Sequence, residues 1–192
     1  MARRQEKGKR TNMLRIIGGQ WRSRKLAIVD AEGLRPTPDR IRETLFNWLQ
    51  GDIHGASCLD LFAGSGALGF EALSRGASNV VFVEKNRIVS KQLLSNLALL
   101  NTSAEVQQTD ALNFLAQTSA PFDLIFLDPP YRKGLLDKSL ALINEKALLK
   151  PASLIYLEHE SEESYDWNNY GLGVLKETNA GQVKCFLLKP LY

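Results

Sequence analysis

From about residue 56 the chain alternates short apolar runs with helix-patterned segments, and this rhythm constrains the fold more than any other feature. The runs fall at 57–62, 79–84, 104–109, 122–128 and 153–159. Apolar periodicity predicts helices between them, over 66–74, up to about Leu100, over 111–117 and over 135–149. Strands this uniformly apolar are buried on both faces, and parallel neighbours need a crossover. The reading is therefore an α/β, doubly wound, mostly parallel sheet with right-handed connections. A closing hairpin is predicted from 172–178 and 182–188, turning at Asn179-Ala180-Gly181, and it adds one antiparallel strand. At 192 residues there is room for one such domain and not for two large ones.

No apolar run approaches the roughly 20 residues that span a bilayer. The charged N-terminus is not followed by the apolar stretch of a secretory leader. Cys58 and Cys185 each lie in an apolar run and read as buried free thiols in a reducing compartment. The expected location is the cytoplasm, with no membrane partner.

The first fifty residues follow a different logic. We expect a flexible basic tail over 1–12, a hairpin and helix over 13–50, and the α/β domain over 51–192. Two short strands, 13–17 and 22–29, are joined through Gly18-Gly19. Thr37 reads as an N-cap and Pro38 as the first residue of a helix to about Leu49. Ile41, Leu45, Trp48 and Leu49 share one face of that helix, Arg40 and Glu43 lie opposite, and Arg42 sits at the border. Residues 1–35 hold ten Lys/Arg against three acids, although the whole chain carries only +3. A basic arm on a mildly acidic body points to a polyanionic partner. Arg15, Arg22, Arg24, Arg40 and Arg42, with Trp21 among them, are the candidate contacts to that partner's phosphates.

Four motifs stand at the predicted strand ends. The first is Asp60-Leu61-Phe62-Ala63-Gly64-Ser65-Gly66, between a strand and a helix. Its glycines permit a tight turn, and the amides at the helix start favour a polar or anionic ligand. Such a loop alone fits a dinucleotide equally well. Asp60 tilts the choice: it would repel a pyrophosphate and suits an ammonium group, such as the amino-acid end of S-adenosylmethionine. The second is Glu84, with Lys85 beside it, placed to accept hydrogen bonds from ribose hydroxyls. The third is Asp110 with Ala111, which either binds an adenine amino group or caps the next helix.

The fourth motif, Asp128-Pro129-Pro130-Tyr131, is the most specific. Two prolines stiffen the backbone directly after a buried strand. The Asp128 carboxylate and the Pro129 carbonyl can then face one point as two acceptors, matching the two N–H bonds of an sp2 amine. Tyr131 offers a face on which a planar base can stack.

Together these residues resemble the class I S-adenosylmethionine-dependent methyltransferases. More closely, the chain is similar to the bacterial 16S rRNA guanine-N2 methyltransferases of the RsmD type. That likeness includes the leader Ile16-Ile17-Gly18-Gly19-Gln20-Trp21-Arg22-Ser23-Arg24. It also includes Arg35-Pro36-Thr37, followed by Arg40-Ile41-Arg42-Glu43-Thr44-Leu45-Phe46-Asn47. The resemblance implies a Rossmann-like seven-stranded sheet whose last strand is antiparallel. It implies S-adenosylmethionine as cofactor and 16S rRNA as partner, free or in an assembling small subunit. Asp128, Pro129, Pro130 and Tyr131 would form the target-amine site, with Arg35, Pro36 and Thr37 bordering the pocket. No metal is implied, because a sulfonium already carries an activated methyl. With no heptad or other association signal, a monomer is expected.

The rival readings are a nicotinamide oxidoreductase, a DNA amino-methyltransferase, a protein-glutamine methyltransferase and a non-catalytic RNA-binding protein. The first leaves Asp60 and the Asp-Pro-Pro-Tyr turn unexplained. The second needs a target-recognition region for which the chain has little room, and the basic arm argues against the third. Retention of Asp60, Glu84 and Asp128 together argues against the last.

Overall fold

A computed structural model describes residues 12–29 and 37–191. The predicted tail over 1–12 lies outside them except for Asn12, as do Arg35 and Pro36. Strands β1 (Asn12–Arg15) and β2 (Lys25–Ile28) pair antiparallel, and helix α1 (Asp39–Trp48) follows. Then come β3 (Ser57–Asp60), α2 (Ala67–Ser74), β4 (Asn79–Val83), α3 (Arg87–Leu99), β5 (Glu105–Gln107), α4 (Ala111–Gln117), β6 (Phe122–Leu127) and α5 (Leu135–Glu145). β7 (Leu149–Glu160), β8 (Leu172–Ala180) and β9 (Val183–Pro190) complete the chain. The sheet has seven strands in the order β5-β4-β3-β6-β7-β9-β8. Pairing is parallel from β5 through β7, while β9 runs antiparallel to both β7 and β8. This is the expected doubly wound sheet with its last strand reversed.

Each strand divides its side chains between two apolar layers. Cys58, Phe82, Leu124, Phe126 and Tyr156 pack under α1, α2, α3 and the β1–β2 hairpin. Leu59, Val81, Ile125, Leu127 and Ile155 pack under α4 and α5. Full burial of one such side chain is worth about 1.5–3 kcal/mol, so both faces are firmly covered. Cys58 and Cys185 are buried and free. Among the described residues no helix is long and apolar enough to cross a membrane.

The hairpin is joined through Gly18-Gly19 as expected, with Gly19 at φ +74, but by a longer connection than a tight turn. The connection runs from Ile16 to Arg24, closed by the Ile16 N–H donating to the Arg24 carbonyl at 2.9 Å. Within that connection the two glycines also dock the hairpin on α2. The buried Glu71 carboxylate accepts the Ile17 and Gly18 N–H groups at 2.9 and 2.8 Å and pairs with Arg75 Nε at 2.7 Å. Gly19 has φ +74, and a Cβ there would lie 1.9 Å from the Ser74 carbonyl oxygen, so only glycine permits this approach.

Two smaller expectations also shift. Pro38, not Thr37, is the N-cap of α1, and no side chain caps it. The helix predicted over 135–149 ends at Glu145, where Ala147 takes a positive φ of 51 and Leu149 opens β7.

Candidate active site

The strand order reverses between β3 and β6, and ligand crevices of open α/β sheets form at such points. A cavity of about 930 Å³ opens there, at the upper end of the roughly 300–1,000 Å³ of small-molecule sites. All four motifs reach it. The end of β3 and the loop after it supply residues 60–65, Glu84 and Lys85 follow β4, Asp110 and Ala111 follow β5, and residues 128–131 follow β6. Gly66 stands behind this lining. Its φ is +75, and a Cβ there would press on the Phe70 ring and Leu93 at 2.6 and 2.7 Å.

The acids differ in how they are held. Asp60 is 4% exposed, and its Oδ2 accepts the Gly69 N–H at 3.0 Å. Burial, aided by the charge of Glu84, pushes its carboxyl up to about 7 against that hydrogen bond. Glu84 is braced at both oxygens, accepting the Gly64 N–H at 3.0 Å and the Asn86 N–H at 2.7 Å. Asp110 does both things that its position allowed. It caps α4 by accepting the Leu112 N–H at 3.0 Å, and it lines the cavity. Asp128 is half-buried in the cavity wall. Desolvation, then the charges of Glu158 and Asp60, hold its carboxyl well above the ordinary carboxylate range. Tyr131 is 39% exposed at the mouth, and desolvation followed by the Asp128 charge raises its phenol.

Glu158 was missed in the sequence. It stands in β7, 5% exposed, and lines the same cavity. The Tyr156 hydroxyl donates to its Oε1 at 2.7 Å. Burial raises its carboxyl above the usual range, against the hydrogen bonds from Tyr156 and Thr37. The signal was available, since an acid after the apolar run Leu154-Ile155-Tyr156-Leu157 is the pattern that marked Asp60 and Glu84. Thr37 and Pro38 close the cavity from the α1 side.

The candidate RNA contacts divide. Arg22 and Arg40 are exposed and form no ion pair among the described residues. Arg24 is exposed and donates to the Leu99 carbonyl at 3.3 Å, and Arg15 is exposed but paired with Asp39 at 3.1 Å. Trp21 is half-buried against the apolar layer. Arg42 is not a phosphate contact. It is 1% exposed, pairs with Asp39 at 2.6 Å, faces Glu71 at 3.6 Å and donates to the Arg15 carbonyl at 3.0 Å. The border of α1 turns inward here, where Asp39, the Arg15 carbonyl and the buried Glu71 carboxylate surround the guanidinium.

A family model described as conserved hypothetical protein 95 matches residues 14–189. The ribosomal RNA small subunit methyltransferase D of Escherichia coli strain K12 is 49% identical over 174 residues, 90% of this chain and 88% of the relative. The Haemophilus influenzae protein of the same name is 50% identical over 155 residues, 78% and 80% of the two chains. The solved structure of Escherichia coli yhhF matches with a TM-score of 0.87 at 44% identity, covering 94% of this chain and 99% of that one. With that identity spread over nearly the whole fold, the chain belongs to the ribosomal RNA small subunit methyltransferase D family.

Proposed function

We propose that this chain transfers a methyl group from S-adenosylmethionine to the N2 amino group of a guanine in 16S, small-subunit, ribosomal RNA. The observation that carries the reading is one continuous cavity joining two halves. On one side stand the Gly64 loop, Glu84 and Asp110; on the other stands the Asp128-Pro129-Pro130-Tyr131 turn. The donor set fits the cofactor: Asp60 suits its ammonium, Glu84 its ribose, and Asp110 with Ala111 its adenine, with Phe62, Ala63, Ser65, Lys85 and Thr37 around them. Arg35 and Pro36 are assigned to the same border from the sequence alone. Bound there, S-adenosylmethionine supplies a methyl already activated on a sulfonium.

The chain's own work is alignment and electrostatics. Asp128 and the Pro129 carbonyl accept the two N–H bonds of the target amine, and Tyr131 stacks on the base. The base must leave its stack to reach them, which costs a few kcal/mol and least in a loop. Arg22, Arg24 and Arg40 hold phosphates, with Arg15 and Trp21 beside them, and position the RNA without specifying it. The protein acts as a monomer, on rRNA free or within an assembling subunit.

The test is methyl transfer from labelled S-adenosylmethionine to rRNA of cells lacking this protein, offered naked and as partly assembled subunits. The product is digested and its nucleosides identified, with Asp128→Ala as control. N2-methylguanosine from the native protein alone supports the reading. A methylated adenine or cytosine refutes the guanine assignment, transfer only to DNA or protein refutes the RNA assignment, and failure to bind the cofactor refutes the whole.

A further inference from the structure

We infer that Glu158 accepts the N1–H of the target guanine and thereby selects guanine among the bases that carry an exocyclic amine. This rests on the guanine-N2 reading above and deepens it.

The placement comes from the sheet register. β6 and β7 run parallel, with Leu127 opposite Leu157. The next positions are Asp128, just past β6, and Glu158 in β7; their charges act on one another, and both residues line the cavity. The acids assigned to the cofactor lie at β3, β4 and β5, and Glu158 lies on the far side of Asp128 from them. Its neighbour in the cavity is thus the incoming base.

The side chain is built to present an acceptor. The hydroxyl of fully buried Tyr156 holds Oε1 at 2.7 Å, which fixes the carboxyl's orientation. A carboxylate has about four lone-pair sites, so acceptor capacity remains after the bonds from Tyr156 and Thr37. Among the described residues no Lys or Arg pairs with Glu158, and the neighbouring group is another carboxyl. A buried acid beside an acid, without a cation, holds a proton more readily than a free carboxyl, and donors brought by a bound base favour the ionised acceptor instead.

Guanine supplies them in the right order. Its edge presents the N2 amine and then N1–H, two donor positions in succession. Adenine presents its N6 amine beside an N1 lone pair, and cytosine its N4 amine beside an N3 lone pair. Asp128 with the Pro129 carbonyl, followed by Glu158, makes a run of acceptors that pairs with guanine and repels the other two. Flipped bases are read in this way, by hydrogen bonds to their Watson–Crick edge.

The experiment compares native protein with Glu158→Gln on small-subunit rRNA whose target guanine is either retained or replaced by 2,6-diaminopurine. That analogue keeps the 2-amino group but carries a lone pair at N1. Gln retains the acceptor for Tyr156 and can donate to that lone pair. For Glu158→Gln we expect kcat/KM on guanine to fall about 10- to 100-fold and the guanine-to-diaminopurine ratio to fall about tenfold or more. S-adenosylmethionine affinity, read by calorimetry, should stay within about twofold. N2-methylguanosine from the native protein with an unchanged ratio in the variant overturns this inference alone. Loss of cofactor affinity in the variant also overturns it, since Glu158 then serves the cofactor or the fold. A methyladenosine or methylcytidine product from the native protein overturns the guanine reading and this inference with it.

Discussion

Replacing Asp60 with Asn should stabilise the fold while weakening the site. Asp60 ends β3 with 4% of its surface exposed and one hydrogen bond, from the Gly69 N–H at 3.0 Å. Burial, with the charge of Glu84 adding to it, raises its carboxyl from 3.8 to about 7. A carboxyl raised in the folded state holds its proton more tightly there than in the unfolded chain. Its stability contribution is therefore intact at low pH and is lost as pH climbs from 3.8 through about 7. At 1.36 kcal/mol per pH unit the full loss is about 4 kcal/mol. Asn keeps the acceptor for Gly69 and never ionises, but brings an amide N–H2 whose desolvation costs about 1–3 kcal/mol. That cost is the same at every pH, so the decisive quantity is the change in the gap between the two proteins. In urea unfolding without cofactor, Asp60→Asn should gain on the native protein by about 2–3 kcal/mol between pH 5 and pH 8. The same variant should bind S-adenosylmethionine about tenfold more weakly or worse, because the ammonium loses its counter-charge. Parallel stability curves from pH 5 to pH 8 would refute the argument that this carboxyl is held protonated by burial.

Three shorter predictions follow from other parts of the molecule. Glu71→Ala removes the carboxylate that holds the Ile17 and Gly18 amides, the buried Arg42 and the half-buried Arg75; urea unfolding should show a loss of about 3–5 kcal/mol, and a loss under about 1 kcal/mol would sink the docking argument. Gly69→Ala places a Cβ 2.2 Å from the Phe82 ring, so thermal unfolding should register about 1–3 kcal/mol of destabilisation; an unchanged Tm would mean that the α2–β4 packing is looser than described. Arg40→Ala, at an exposed position on α1, should weaken binding to all RNA sequences alike and lower the salt slope by about 1; an unchanged slope would remove Arg40 from the phosphate contacts.

The sheet, its reversed last strand and the strand-end motifs were all legible in the sequence, and the reason is locality. Whether 57–60 is a buried strand depends on its own apolar residues, and Asp60 follows within the same few positions. The Asp128-Pro129-Pro130-Tyr131 turn is likewise stiffened by its own prolines. A family resemblance then attached a chemistry to these points, which no spacing alone could have done.

The features that escaped depend on partners far along the chain. Gly18 and Glu71 are 53 residues apart, and only their meeting makes the glycine pair a docking segment as well as part of the hairpin connection. Helical periodicity put Arg42 at the border of α1 and could go no further. A border residue faces water or protein according to what packs beside it, and here Glu71 packs beside it. Glu158 belongs to the same class, because its place next to Asp128 exists only through the β6–β7 register. By itself the sequence determined the strands, the crossovers and the acids at the strand ends, since each is set by residues within a turn or a strand of one another. Tertiary structure alone decided which cations turn inward, how the N-terminal hairpin is anchored and which further carboxyl shares the cavity, because buried charges settle only where the fold supplies their partners.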